Sequence, residues 1–335
     1  MSKIVTNIAE LVGNTPLMEL VGYEKKHDLK AKVLGKLEYF NPSGSIKDRA
    51  ALNMILAAEE KGLLKPGDTI VENTSGNTGI GLAAFSASRG YKLEVFMEPG
   101  QSIERQQILK AYGATVHIMT DLPEVAKALA DGTFTVQFYQ DALQRYCDAQ
   151  PTHYYFINQL ANEANPGAHY DHTGPEIWEA TDGKVDYVVA LAGTAGTITG
   201  LGRYFREKNP DVKIIAAQPS ISSRPSPENP HPATIDGVNP FNDPGFPDAA
   251  KAPFIVDFKY DECFDINGED AYATGRELAH TDGLFLGQSA AAALNAATII
   301  ARRPENAGKN IIVMMADNGM KYLSTNMYPL DKKVQ

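Results

Sequence analysis

Short apolar runs alternate with helix-like segments along the chain, and this alternation constrains the fold more than any other feature. A strand followed by a loop and a helix is typical of parallel sheets covered by helices. In open sheets of this kind, ligands bind beyond the carboxyl ends of the strands. The loops that follow strands are therefore where functional residues should be sought. The runs predicted as strands are residues 32–39, 68–74, 92–98, 115–119, 154–159, 185–193, 212–220 and 310–317.

The segments between these runs carry helical patterns or turn-forming residues. Segment 120–155 is predicted to hold one or two helices and shows no chemical motif. Segment 223–248 is rich in Pro and Asn and predicts a long ordered loop or a mobile flap, because apolar secondary structure resumes after it. The other predicted helices are residues 50–61, 80–90, 102–114, 196–210 and 287–303.

The loop 41-NPSGSIKDRAAL-52 places Lys47 between turn-forming residues and the start of a helix. A cation is disfavoured there, because the helix dipole favours anions. Lys47 could be a solvated surface lysine. Alternatively, its amine is neutral and forms a Schiff base. This segment alone leaves both interpretations open.

Two further loops have the composition of anion sites. In 74-TSGNTG-79, Gly76 to Gly79 are predicted to form a turn before a helix, where a carboxylate or phosphate could bind. In 193-GTAGTITG-200, glycines and backbone N–H groups at a helix start could form a phosphate nest. The second loop lacks the GK[ST] of a nucleotide loop and the GxGxxG of a dinucleotide fingerprint. The alternatives are a capped turn of small polar residues and a tight strand-to-helix turn.

The fourth loop, 287-GQS-289, places Ser289 at the start of a helix, where a plain N-cap serine is the alternative. Together the four loops offer a lysine, an anion site, a phosphate site and a lone hydroxyl. Pyridoxal phosphate has an aldehyde for a lysine, a phosphate for a nest and a ring nitrogen for a polar partner. The set therefore predicts a pyridoxal 5'-phosphate site.

Composition narrows the classes of protein. The 335 residues suggest about two domains. The net charge of −10 argues against a nucleic-acid partner and against binding to anionic membrane surfaces. Cys147 and Cys263 lack the spacing of a metal site or a disulfide framework, so no metal is expected. No signal-like N-terminus and no spanning apolar run is seen, which predicts a cytoplasmic protein.

At this point the chain resembles the cysteine synthase family of fold-type II pyridoxal-phosphate enzymes, which includes cystathionine β-synthases. The blocks that carry the resemblance run from 12-VGNTPL-17 through NPSGSIKDR, TSGNTGIGLA, SIERQQILKAYGA and GTAGTITG to 317-DNGMKYLST-325. It implies two three-layer α/β domains with mostly parallel sheets, similar to the tryptophan synthase β subunit, with the active site in the interdomain cleft. The smaller domain would be residues 42–158, and the larger PLP-binding domain residues 1–41 plus 159–335. A homodimer is also implied.

The resemblance also implies roles for individual residues. Lys47 would hold the cofactor as an internal aldimine and then shuttle the α-proton, Asn77 would bond the ring hydroxyl, and Ser289 would face the ring nitrogen. Asp48 and Arg49 are expected to be structural, as a local ion pair. The phosphate would lie on Gly193, Thr194, Ala195, Gly196 and Thr197. The substrate would contact Thr74, Ser75, Gly76, Thr78, Gln159, Gly237 and Asn239. Of these, Thr74, Ser75, Thr78 and Gln159 would hold its carboxylate.

Several residues depart from the usual pattern of the family. Ala195 stands where glycine is usual, which is tolerable at negative φ and strained otherwise. In 235-IDGVN-239, Asn239 replaces a glycine near the substrate side chain, and it could narrow or polarise the acyl pocket together with Asp236. Gln288 lies beside Ser289, and Gln218 stands where glutamate is usual. These differences leave the natural substrate pair open.

The leading hypothesis is a β-replacement enzyme that makes cysteine from O-acetylserine and sulfide through an aminoacrylate. A ring nitrogen that faces serine stays unprotonated, so β-elimination is favoured over a long-lived carbanion. One alternative is a β-lyase that releases hydrogen sulfide from cysteine or pyruvate from serine; another is a β-synthase with a different nucleophile, such as a cystathionine β-synthase-like enzyme. A non-catalytic paralogue is disfavoured because Lys47 is present, and a nicotinamide enzyme because the fingerprint is missing.

Overall fold

The computed structural model describes residues 4–99, 103–243 and 251–329. Within these residues the chain forms ten strands and twelve α-helices. The strands are β1 (Leu17–Glu19), β2 (Lys32–Leu37), β3 (Thr69–Asn73), β4 (Lys92–Met97), β5 (Thr115–Ile118), β6 (Tyr154–Phe156), β7 (Tyr187–Leu191), β8 (Lys213–Pro219), β9 (Glu262–Ile266) and β10 (Asn310–Met315). The helices are α1 (Val21–Lys26), α2 (Lys47–Glu60), α3 (Asn77–Arg89), α4 (Ile103–Ala111), α5 (Pro123–Ala130), α6 (Val136–Asp148), α7 (Ala164–Ala168), α8 (Gly174–Ala180), α9 (Gly196–Lys208), α10 (Pro253–Val256), α11 (Gly268–Thr281) and α12 (Gln288–Ala301).

The larger sheet has six strands in the order β1-β2-β10-β7-β8-β9. All neighbours are parallel except β1, which pairs antiparallel with β2. The central strand β7 has the sequence YVVAL, and its first four residues are buried, as expected for a strand covered by helices on both faces. The alanine-rich helix α12 packs on this sheet, because small side chains allow a close approach to β10.

The smaller sheet has four parallel strands in the order β5-β4-β3-β6. Its strands lie within the segment that the sequence assigns to the smaller domain, whereas the boundaries at residues 42 and 158 stay a prediction. The predicted α/β class with mostly parallel sheets is confirmed. Strands β1 and β9 were not predicted, because one has three residues and the other, ECFDI, mixes charged and apolar side chains at a sheet edge.

Some predicted boundaries are wrong. The turn predicted at Gly76 to Gly79 ends earlier, since α3 begins at Asn77. Segment 120–155 contains two helices, α5 and α6. Residues 223–243 contain neither a strand nor an α-helix, whereas residues 244–250 of the predicted loop lie outside the described residues. Among the helices described, none combines the length and apolar character that crossing a bilayer requires.

Candidate active site

A cavity of about 680 Å³ lies between the two sheets and collects the loops that follow their strands. From the smaller sheet it receives the loop after β3, and from the larger sheet the loops after β7 and β8. Lys47 and Ser289 line it as well. The four loops that the sequence singles out therefore converge on one cavity, as the rule for parallel sheets predicts.

Lys47 is the first residue of α2, and its side chain lines the cavity instead of projecting from the surface. Burial lowers the pKa of its amine from 10.5 to about 8, and the nearby Asp317 carboxylate partly opposes that shift. Among the described residues, no hydrogen-bond or ion-pair partner of this amine is found. A substantial fraction of the amine is therefore neutral near physiological pH, and a neutral amine is the form that attacks a carbonyl carbon.

The two residues after Lys47 are structural, but they do not form the predicted local ion pair. Asp48 accepts hydrogen bonds from the backbone N–H and the hydroxyl of Ser43, which closes the turn before α2. Arg49 points away from Asp48, and its Nε donates to Glu38 Oε2 at 2.7 Å. Consecutive residues on a helix project in different directions, so neighbours in sequence are poor candidates for an ion pair.

Arg49 belongs to a buried charge network behind Lys47. Its guanidinium contacts Glu38 and Glu176, and Lys36 Nζ donates to Glu176 Oε2 at 2.6 Å. Burial alone would raise the pKa of Glu176, but hydrogen bonds from Arg49 and Lys36 hold it at about 2. Because the network joins β2, α2 and α8, it fixes the helix that begins at Lys47.

The predicted substrate loop lies at the N-terminus of α3. Thr78 Oγ1 donates to Gln159 Oε1 at 2.7 Å, and Gln159 Nε2 donates to the carbonyl of Asn73 at 3.1 Å. Ser75 Oγ accepts from the backbone N–H of Glu98 at 3.0 Å. Thr74, Gly76, Thr78 and Gln159 all line the cavity beside the first N–H groups of α3, an environment suited to a carboxylate.

The predicted phosphate loop precedes α9. Ala195 has φ +65°, so it adopts the left-handed conformation that a side chain disfavours. A Cβ on Gly193 would lie 2.2 Å from the carbonyl oxygen of Gly237, and one on Gly196 would lie 2.1 Å from Asn165 Oδ1. The loop is thus strained and closely approached by its neighbours, which keeps its N–H groups in a fixed arrangement.

The buried side chains of Asn165 and His169 contact the threonines of this loop. Asn165 Nδ2 donates to Thr194 Oγ1 at 3.0 Å, while its Oδ1 is buried and has no hydrogen-bond partner among the described residues. His169 Nε2 lies 3.1 Å from Thr197 Oγ1, and burial lowers the pKa of the imidazole well below its usual value. A neutral imidazole can accept the Thr197 proton or donate its own. Neither residue was predicted, and their place in the segment that follows the predicted strand 154–159 was the available signal.

Asn77 contacts Asp317 and Lys321, two residues that were not predicted to belong to the site. Its Nδ2 donates to Asp317 Oδ2 at 2.7 Å, and its Oδ1 accepts from Lys321 Nζ at 2.8 Å. Tyr322 OH also donates to Asp317 Oδ2, at 2.7 Å. These residues belong to the block 317-DNGMKYLST-325, to which no role was assigned. Their position directly after β10 was the available signal.

Ser289 is the second residue of α12 and lines the cavity; Gly287, not Ser289, is the N-cap, so the plain N-cap interpretation is wrong. The neighbouring Gln288 is fully buried, and its Oε1 accepts from the backbone N–H of Asp236 at 2.9 Å. Asp236 in turn pairs with Arg105 across the cavity at 3.0 Å. Gly237 and Asn239 lie next to Asp236 on the same wall.

The residues present fit pyridoxal phosphate. The cofactor needs an amine that is partly neutral, a cradle of backbone N–H groups for its phosphate, and polar partners for its ring. Lys47 provides the amine, and the loop from Gly193 to Thr197 provides a cradle that side chains would fill. Asn77 at the start of α3 and Ser289 at the start of α12 are polar groups that line the cavity and are available to the ring. No group of three or more side chains suited to a metal ion is found in the described part of the chain.

The fold and the site together define a two-sheet α/β enzyme with a lysine amine in a cavity that the N-termini of two helices also line. A family profile described as pyridoxal-phosphate dependent enzyme matches residues 8–317. The chain belongs to this family and uses pyridoxal phosphate as its cofactor.

The similarity extends over nearly the full length of individual proteins. A probable cysteine synthase of Bacillus subtilis is 41% identical over 98% of this chain and 99% of the relative. The crystal structure of a cysteine synthase from Entamoeba histolytica is 35% identical with a TM-score of 0.81, over 98% of this chain and 92% of that one. The crystal structure of a hydrogen sulfide-producing enzyme from Fusobacterium nucleatum is 33% identical with a TM-score of 0.77. The match covers 96% of this chain and 100% of that one.

Proposed function

We propose that this protein makes cysteine from O-acetylserine and sulfide by replacing the group on the β-carbon. In this reaction the C–O bond to acetate breaks, acetate leaves with its electron pair, and the sulfur of sulfide bonds to the β-carbon. The α-proton is removed and later returned. The relatives named as cysteine synthases support this assignment.

The observation that carries the proposal is that the buried Lys47 amine lines the same cavity as the N-termini of α3 and α9. When bound, pyridoxal phosphate supplies an aldehyde that bonds to an amine and a ring that withdraws electrons from the Cα–H bond. Lys47, with a pKa of about 8, can take the proton at Cα and give it back. The N–H groups of Ser75 to Thr78 and the Gln159 amide hold the substrate carboxylate.

The other residues have supporting roles in this proposal. Gly193 to Thr197 bind the phosphate, Asn77 the ring hydroxyl and Ser289 the ring nitrogen. Gly237 and Asn239 lie beside the β-substituent, and the Arg105–Asp236 pair closes that side of the cavity. Residues 42–158 form the smaller domain, and the remainder the larger one.

The test is a product assay with the purified holoenzyme. We expect cysteine and acetate to form in equal amounts when O-acetylserine and sulfide are supplied together. Lys47→Ala should lower the turnover by at least about a hundredfold, because the proton at Cα then has no acid–base group. Lys61→Ala is the matched control, since Lys61 is exposed at the other end of α2. If folded protein that carries pyridoxal phosphate forms no cysteine from these two substrates, the proposal is excluded.

A β-lyase is the second candidate, and the similarity to a hydrogen sulfide-producing enzyme favours considering it. The same residues would remove the proton and the β-substituent of cysteine, and water would then release pyruvate and ammonia. Incubation with cysteine alone separates the two activities. Sulfide and pyruvate in equal amounts, at a rate above that of cysteine synthesis, would identify a lyase.

We also propose that the protein is a cytoplasmic homodimer, as the family resemblance implies. Its small-molecule partners are an amino acid and sulfide or another small nucleophile. Light scattering after gel filtration should give a mass of about twice the 36.4 kDa of one chain. A mass equal to one chain would contradict the dimer.

A further inference from the structure

A chain of charged and polar side chains beside the cavity holds the Asn77 amide from both sides. Lys321 Nζ donates to Asn77 Oδ1 at 2.8 Å. Asn77 Nδ2 donates to Asp317 Oδ2 at 2.7 Å, and Asp317 is fully buried. Tyr322 OH donates to the same carboxylate oxygen at 2.7 Å. Asn77 therefore lies between a cation and an anion.

This arrangement allows only one orientation of the amide. If the amide turned by half a rotation, its N–H groups would face the Lys321 ammonium and its oxygen would face the Asp317 carboxylate. Both contacts would be repulsive at hydrogen-bond distance, and the low dielectric around a buried carboxylate strengthens the repulsion. In the observed orientation, one Nδ2 hydrogen binds Asp317 and the second can serve another acceptor.

Lys321 also connects Asn77 to the loop that carries Lys47. Its Nζ lies 3.4 Å from the carbonyl oxygens of both Ser43 and Gly44. One ammonium group therefore bridges the turn before α2 and the first residue of α3. Burial lowers the pKa of Lys321, and the Asp317 and Asp48 carboxylates oppose this shift.

We propose that Lys321 and Asp317 are positioning residues that hold Asn77 as a hydrogen-bond donor to the ring hydroxyl of the cofactor. The proposal rests on the role of Asn77 given under the proposed function. It does not depend on which amino acid or nucleophile reacts, because it concerns the bound cofactor alone. The Lys321 charge additionally favours the ionised form of the ring hydroxyl.

The experiment compares Lys321→Met with Lys61→Met, which removes an exposed lysine at the far end of α2. Titration of the apoenzyme with pyridoxal phosphate should show binding weaker by about tenfold or more for Lys321→Met, equivalent to about 1.4 kcal/mol. The holoenzyme should also lose visible absorbance and gain near-ultraviolet absorbance at a fixed pH. Lys321→Arg should restore most of both properties, and Lys61→Met should match the original protein.

Unchanged affinity together with an unchanged spectrum in Lys321→Met would overturn the proposal. If that variant does not fold, Asp317→Asn gives the same reading, because it keeps the shape of the side chain while removing the charge that orients Asn77. We expect weaker cofactor binding and the same spectral change in Asp317→Asn. Original affinity and spectrum in this variant would also overturn the proposal. Cofactor affinity and the absorbance spectrum can both be measured even if the protein makes no cysteine. The proposed reaction and the proposed role of Lys321 and Asp317 can therefore fail separately.

Discussion

At the scale of single residues, the ionisation of Lys47 is the property on which the chemistry depends. Its pKa of about 8 results from burial, partly opposed by Asp317. Because only the neutral amine attacks the cofactor aldehyde, the rate constant for binding pyridoxal phosphate to the apoenzyme should rise about tenfold per pH unit below that value. The rate should level off above about pH 8. Stopped-flow absorbance between pH 6 and 10 measures it.

A rate that keeps rising up to pH 10 would show that Lys47 has the pKa of an ordinary lysine. The Asp317→Asn variant tests the cause of the shift, through the pH at which the rate levels off. Loss of the carboxylate removes the contribution that raises the pKa, so the levelling-off point should move to lower pH.

The phosphate loop provides a second residue-scale prediction. In Gly196→Ala the new methyl group would meet Asn165 Oδ1 at 2.1 Å, and this buried atom belongs to a side chain held by two hydrogen bonds. Displacing it should weaken cofactor affinity by about tenfold or more. Ala195→Gly is the control, because glycine accepts φ +65° and should keep affinity within about threefold. Equal affinities in both variants would contradict the close approach of Asn165.

At the scale of secondary-structure elements, the buried charges behind Lys47 determine where α2 begins. Arg49→Met would leave Glu38, which is fully buried, without its charged partner. The free energy of unfolding measured in urea should fall by about 3–5 kcal/mol. The control is Arg145→Met, whose ion pair with Glu124 is about half exposed and screened by solvent, so its loss should change the stability little. Similar losses in both variants would contradict the structural role of Arg49.

Residues 236–242 form a loop in the cavity wall, and a buried glutamine binds each end of this loop. Gln288 holds Asp236, and Gln218 Oε1 accepts from the backbone N–H groups of Phe241 and Asn242 at 2.8 and 2.9 Å. The loop is therefore an ordered part of the wall in its described residues, and the departures of the sequence at 218 and 288 have a structural reason.

Gln218→Ala should leave the buried Phe241 N–H and the partly buried Asn242 N–H without their acceptor and loosen the loop. Hydrogen exchange at residues 236–242 should become faster, and the KM for the amino acid should rise, because unpaired buried donors cost about 1–3 kcal/mol each. Gln144→Ala, in an exposed turn of α6, is the control. Unchanged exchange in Gln218→Ala would contradict this explanation.

At the scale of the whole molecule, the alternation of apolar runs and helical segments was sufficient to predict parallel α/β structure, whereas the two domains and the cleft between them were predicted from the family resemblance. The reason is physical: apolar runs define parallel strands, and the loops after such strands must meet at one edge. Lys47, Asn77 and Ser289 could be found from the sequence because each is the first or second residue of a helix that follows a loop.

Side-chain partners far apart in the sequence could not be predicted. Asn77 and Asp317 are 240 residues apart, and Arg49 and Glu176 are 127 apart. Their contacts depend on how the two sheets face each other, which no local pattern encodes. The expected pair of Asp48 with Arg49 was wrong because Asp48 accepts from Ser43, whereas Arg49 contacts Glu38 and Glu176. The sequence left the sign of φ at Ala195 open, and only the structure shows that it is positive.

The central claim is that Lys47 carries the cofactor. Borohydride reduction of the holoenzyme fixes pyridoxal phosphate to the amine that it is bonded to, and mass spectrometry of the peptides then locates it. We predict a single labelled residue, Lys47, and no label in Lys47→Ala treated in the same way. A label on Lys321, the other lysine described beside this site, or no label on any lysine of a coloured holoenzyme, would contradict the account.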